Sequence, residues 1–270
     1  MAKQKFEKDK VLYEKRGHTA IITMNYPEKM NVYGGPNSVN LGPATKEALD
    51  DPEVWTLILT GAGEKAFCAG NDLSARRDDM EAKGVAWGTQ RIRAEKRGVS
   101  FLFGTLPKPA IAAINGYCVG GGLELAMGCD IRIAAPHATF QHSEIKRGII
   151  AGITSAKLPR LIPHNLALEV LLTARLVDAK EAYRIGLVNK VVPLKDLMSA
   201  ALAMCDEINE NAPLAVRSAK EVAWKGMDMT LSDALEECSR HLHEVLSPTE
   251  DSKEGIRAFL EKRKPVWKAR

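Results

Sequence analysis

A chain of 270 residues, 45% of them hydrophobic, can bury a core sufficient for one domain with an appendage or for two domains. Its 38 basic and 34 acidic residues leave a formal charge of +4, too even a balance to mark a nucleic-acid binder. Five scattered cysteines without CxxC spacing argue against a zinc site or a disulfide framework, and no apolar run is long enough to span a bilayer. The first ten residues, Met1 to Lys10, lack the apolar stretch of a secretory leader, so a soluble cytoplasmic protein with reduced thiols is expected.

In chain order, residues 11–14 and 19–24 read as a hairpin turning at Arg16-Gly-His18. Tyr26 to Asn31 breaks the strand pattern, and Gly34-Gly35-Pro36 marks a loop. Residues 41–49 have helical spacing, and 55–60 form a short buried strand closed by Gly61-Ala-Gly63. Cys68-Ala-Gly-Asn-Asp72 reads as a tight turn, followed by a polar, charged stretch running to about Arg97. An apolar strand at 109–115, a buried helix starting at 121–128 and strands at 130–134, 139–141 and 188–192 complete an alternation that predicts α/β architecture. Beyond Pro193 the spacing turns helical, over 197–209, 213–225, 231–246 and 252–262. The expected division is therefore an α/β core over 1–194 and a helical region over 195–270, with no fixed-period repeat.

The chemistry concentrates in Asn115-Gly-Tyr-Cys-Val-Gly-Gly-Gly-Leu-Glu124 and Phe140-Gln-His-Ser-Glu144. Three consecutive glycines let backbone approach a ligand closely and take positive φ. Two carboxylates follow, 20 positions apart (144 minus 124), each after a turn-prone segment. Backbone amides beside paired acids can stabilise an oxyanion and move protons next to it, which points to chemistry at a carbonyl.

These segments carry a resemblance. Lys65-Ala-Phe-Cys-Ala-Gly-Asn-Asp-Leu73, the glycine run to Glu124, residues 140–148, and Ala179-Lys-Glu-Ala-Tyr-Arg-Ile-Gly-Leu-Val188 stand in the order and spacing of the enoyl-CoA hydratase/isomerase, or crotonase, superfamily. The likeness runs from Ile22 to the closing Phe259-Leu-Glu-Lys-Arg-Lys-Pro265. It implies a spiral of strand-strand-helix units with a C-terminal helical region that builds trimers or hexamers. It also implies an acyl-coenzyme A thioester as substrate, with no metal and no cofactor apart from the coenzyme A of the substrate. Under the same resemblance the thioester oxygen is held by the backbone amides of Asn71 and Gly121. Glu124 takes a proton from the attacking water, Glu144 delivers one to the α-carbon, and the Gly152 amide touches that water. Ala69, Asp72, Leu73 and Ser74 border the coenzyme A, and Phe259 and Lys262 reach the coenzyme A of an adjacent subunit. Beside those roles, Asp72 also suits bracing its turn and Lys262 a solvated helix end, while His142, which could tune the proton affinity of Glu144, better suits a structural or solvent-facing place.

The chain departs from the family pattern at several points. Asn71 stands where a small residue is usual, and Val32-Tyr33-Gly34-Gly35 replaces Ala-Leu-Ser. Ser74 replaces a lysine, for which Arg76 or Arg77 could substitute, and Ala151-Gly-Ile-Thr-Ser-Ala-Lys157 replaces a Pro-Gly-x-Gly-Gly-Thr segment. These changes border the acyl pocket. Reversible syn hydration of a 2-enoyl-CoA is the first expectation. A double-bond isomerase, which needs only Glu144, and a specialised dehydratase such as one for carnitinyl-CoA are the alternatives. A non-catalytic acyl-CoA or RNA binder ranks below them, because both acids are present and the basic residues are interleaved with acidic ones.

Overall fold

The computed structural model describes residues 4–6, 10–34, 38–73 and 106–270. The expectations for Gly35, Pro36, Ser74, Arg76, Arg77 and the charged stretch to Arg97 lie outside the described residues. The main sheet has seven strands in the order β1-β2-β3-β4-β6-β8-β11. They are β1 (Gln4–Phe6), β2 (Val11–Arg16), β3 (Thr19–Met24), β4 (Thr56–Gly61), β6 (Ala110–Ile114), β8 (Ile131–Ala134) and β11 (Lys190–Val191). The antiparallel β2–β3 hairpin forms as expected, and from β3 to β11 all neighbours are parallel.

A second sheet runs in the order β10-β9-β7-β5: β5 (Ala66–Cys68), β7 (Tyr117–Val119), β9 (Thr139–Gln141) and β10 (Val177–Asp178). Successive passes of the chain lay one strand in each sheet: β4 then β5, β6 then β7, β8 then β9. That is the strand-strand-helix spiral the resemblance implies. The helices among the described residues are α1 (Gly42–Asp50), α2 (Gly121–Gly128), α3 (Gly152–Leu161), α4 (His164–Thr173), α5 (Ala179–Arg184), α6 (Leu197–Asn209), α7 (Pro213–Gly226), α8 (Leu231–Arg240) and α9 (Glu250–Leu260).

Every residue of β4 and β6 is buried, as a parallel sheet covered on both faces requires. Their side chains alternate between two cores. Leu57, Leu59, Ala112 and Ile114 join Ile22, Phe67, Leu123 and Phe140 on one face. Ile58, Ile111 and Ala113 join Ile21 and Ile133 on the other, where Leu197, Ala201 and Cys205 of α6 close the layer. The first helix after residue 194 thus covers the sheet.

The helix expected over 231–246 is divided: α8 ends at Arg240 and the chain continues as a π-helical turn, His241–Leu246. There His241 is buried, with Nδ1 3.0 Å from Ser218 Oγ of α7. Glu221, Glu237 and His241 gather close enough to hold a cation. Lys225 and Arg240 already pair with these carboxylates, so the group is an ion-pair network.

Candidate active site

Three adjacent parallel strands of the small sheet, β5, β7 and β9, deliver three loops at their carboxyl ends. That is the edge where open parallel sheets place their ligands. β5 leads to Gly70 and Asn71, β7 to Gly120, Gly121 and Glu124, and β9 to His142 and Glu144.

Gly120 has φ +57 and ψ −125, a conformation reserved for glycine, and its N–H donates to Gln141 O at 2.9 Å. A Cβ there would stand 2.7 Å from Glu144 Oε1, so the carboxylate of Glu144 lies directly over this peptide. Gly70, with φ +97, faces the same place: a Cβ on it would be 3.2 Å from the Gly121 nitrogen. The peptide carrying the Asn71 N–H therefore passes alongside Gly121, at the start of α2, where helix amides point outward and favour negative charge.

Glu124 sits in the first turn of α2, a helix buried along its whole length. Its Oε1 accepts a hydrogen bond from the Thr154 N–H at 3.3 Å, and the neighbouring Ile153 N–H also favours its ionised form. Both amides belong to the first turn of α3, where N–H groups lack helix partners. Burial, and then the charge of Glu144, push the Glu124 carboxyl up to about 7, against the pull of those two amides and of His142. The charge of Glu144 thus acts directly on Glu124, and the two acids face one another's field.

His142 is buried, with Nδ1 3.2 Å from Glu144 Oε2 but out of line for a hydrogen bond. The sequence leaves open a solvent-facing place for it; the structure sets it against the acid instead. Lys157 lies over the Trp224 ring at 4.6 Å and donates to Met127 O in the last turn of α2. Burial pushes its ammonium down to about 8.

Asn71, Gly121, Glu124 and Glu144 therefore come together, beside the start of α3 at Gly152. The amides that reach Glu124 are those of Ile153 and Thr154, one and two positions beyond Gly152. Ala69 and Asp72 flank Asn71: Ala69 N–H donates to Met30 O at 3.0 Å and Asp72 N–H to Tyr33 O at 2.9 Å, while Leu73 is exposed. Phe259 projects from the last turn of α9, 83% exposed, and Lys262 follows with φ +53. Tyr33 is missing from the sequence-derived set, yet it packs against Gly121.

A spiral of this topology with one buried and one half-buried acid beside a glycine-backed helix start defines an acyl-CoA-handling fold class. The chain belongs to the enoyl-CoA hydratase/isomerase family, whose sequence profile matches residues 14–270. It is 39% identical to a short-chain-enoyl-CoA hydratase from Clostridium acetobutylicum, over 96% of this chain and 97% of that one. It is 38% identical to an (E)-benzylidenesuccinyl-CoA hydratase from Thauera aromatica, over 96% and 98%. The crystal structure of an enoyl-CoA hydratase from Bacillus anthracis superposes with a TM-score of 0.85 at 35% identity, covering 97% of this chain and all of that one.

Proposed function

We propose that the protein is an enoyl-CoA hydratase, adding water reversibly and syn across the double bond of a 2-enoyl-CoA thioester. The observation that carries this reading is the meeting of Glu124 and Glu144 beside Gly121. Ionised Glu124 removes a proton from water as its oxygen bonds to the β-carbon. The electron pair of the double bond moves toward the thioester, and the backbone amides of Asn71 and Gly121 hold the oxygen as it gains charge. Glu144 gives its proton to the α-carbon, completing the saturated 3-hydroxyacyl product. The Gly152 amide holds the water, and Ala69, Asp72, Leu73 and Ser74 border the coenzyme A. The scheme uses no metal and no redox cofactor. No helix among the described residues is long and apolar enough to cross a membrane, consistent with a freely diffusing CoA thioester as partner.

The C-terminal helices carry exposed Leu231, Leu235, Leu242, Ile256, Phe259 and Leu260. Such a concentration of exposed apolar side chains suits association with further copies of the chain, into trimers or hexamers. Phe259 and Lys262 then contact the coenzyme A of a neighbouring subunit.

The two hydratase relatives above differ in acyl group, so the acyl group is a matter for direct measurement. Incubation with a panel of 2-enoyl- and 3-enoyl-CoA thioesters, read by mass spectrometry, is expected to show gain of one water on a 2-enoyl-CoA. Rearrangement without change of mass would establish the isomerase reading instead, and no turnover of any thioester would overturn both. A pH dependence follows from Glu124. A base must be ionised to act, and this carboxyl loses its charge as pH falls through about 7. The kcat/KM for hydration is expected to fall about tenfold per unit as pH drops below that value. A profile flat down to pH 5 would remove Glu124 as the base.

A further inference from the structure

The Gly121 surface carries two side chains that the two-amide scheme does not use. A Cβ on Gly121 would overlap Tyr33 Oη, stand 2.8 Å from Tyr33 Cε1 and lie 2.9 Å from Asn71 Nδ2. A hydroxyl and a carboxamide N–H2, both hydrogen-bond donors, thus converge on the space that the missing side chain of Gly121 leaves open. The placement is built into the backbone. Tyr33 and Asn71 are partners in a parallel bridge, with Tyr33 N–H donating to Gly70 O at 3.0 Å and Asp72 N–H to Tyr33 O at 2.9 Å. The Tyr33 ring is 6% exposed, so packing fixes where its hydroxyl points. The same Gly70 lies against the Gly121 nitrogen. The bridge that aims Tyr33 therefore also aligns the peptide of Asn71.

Resting on the hydratase reading, we infer that Tyr33 is a substrate-contacting residue whose hydroxyl donates a third hydrogen bond to the thioester oxygen, with the Asn71 carboxamide beside it. A donor held by packing next to a developing oxyanion strengthens as the oxygen gains charge, so its effect falls mainly on kcat. It also explains why position 121 cannot carry a side chain: a Cβ would occupy the place of the hydroxyl.

Tyr33→Phe removes the hydroxyl and keeps the ring that fills the pocket. It is expected to lower kcat for hydration of the best enoyl-CoA in the panel by about 10- to 100-fold, with KM changed less than threefold. The direct readout is the infrared stretch of a 13C-labelled thioester carbonyl. It is recorded on an enoyl-CoA bound to Glu144→Gln protein, with and without Tyr33→Phe. A hydrogen bond from Tyr33 lowers that frequency, so the stretch is expected to rise when the hydroxyl is removed. Asn71→Ala, which keeps the backbone amide, is expected to give a smaller rise. An unchanged stretch overturns the inference whatever the rate does, because loss of packing alone does not move it. If the unsubstituted protein hydrates no enoyl-CoA, the hydratase reading fails, and the carbonyl frequency still reports separately on Tyr33.

Discussion

Glu144→Gln and Glu124→Gln are each expected to reduce hydration turnover by about 10²- to 10⁴-fold, the range a positioned general acid or base supplies. Both variants are expected to fold. Glu144 Oε2 has no hydrogen-bond partner among the described residues, so a carboxamide there strands no donor that the carboxylate satisfied. At 124 a glutamine oxygen can still accept from the Thr154 N–H. Removing a buried charge that burial and Glu144 both oppose carries no penalty of its own. The measurement is kcat under saturating substrate beside a thermal melt of each variant. Near-full hydration in either one, with an unchanged melt, removes that acid from the scheme. Loss in Glu144→Gln alone, with proton shuttling between carbons, would mark a one-acid isomerase.

The joint expectation for the double variant separates two pictures of the pair. If Glu124 and Glu144 act on one water and one substrate in a single step, losing the second acid adds little to losing the first. Independent contributions would multiply. The electrostatic link between the acids favours the first outcome, since the charge of Glu144 already adds to the proton affinity of Glu124.

What the sequence conveyed, and what it did not, follows from range. Long apolar or helically spaced runs such as 109–115, 121–128 and 197–209 appear close to where the spacing puts them. β5 and β7 are three residues each, too short to show alternation, so residues 66–68 and 117–119 read only as turns or motif flanks. The repeating strand-strand-helix unit leaves no period in the sequence because its passes differ in length. β4, β6 and β8 begin at 56, 110 and 131, 54 and then 21 residues apart. The two acids stood out because glycines and motif order mark them. The Thr154 amide did not, since which N–H of a helix start reaches a ligand depends on the angle at which α3 meets α2. Tyr33 was visible as a departure in the sequence, but its partner Asn71 is 38 positions away (71 minus 33), and only the bridge between them brings its hydroxyl to Gly121.

The last glycine of the triplet predicts the largest loss of stability. A Cβ on Gly122 would overlap the carbonyl oxygen of Cys68, stand 2.8 Å from the Cys68 carbonyl carbon and 3.0 Å from Cys68 Cβ. These neighbours are mostly backbone of β5, which cannot rotate away as a side chain can, so β5 and α2 must separate. β5 is held to β7 by parallel pairing and leads into Gly70, whose approach to the Gly121 nitrogen aligns the Asn71 peptide. Gly122→Ala is therefore expected to cost about 3 kcal/mol or more, at the upper end of overpacking penalties. The protein that still folds is expected to lose activity, because the displaced segment carries one side of the thioester site. Gly152→Ala is the control: a Cβ there meets nothing within 4 Å, and alanine favours the helix it begins, so its stability is expected to match or slightly exceed that of the parent. Urea unfolding midpoints with kcat/KM for both variants test the contrast. A Gly122→Ala midpoint equal to that of Gly152→Ala would mean that β5 and α2 do not meet at Cys68, and the convergence of positions 71 and 121 would lose its support.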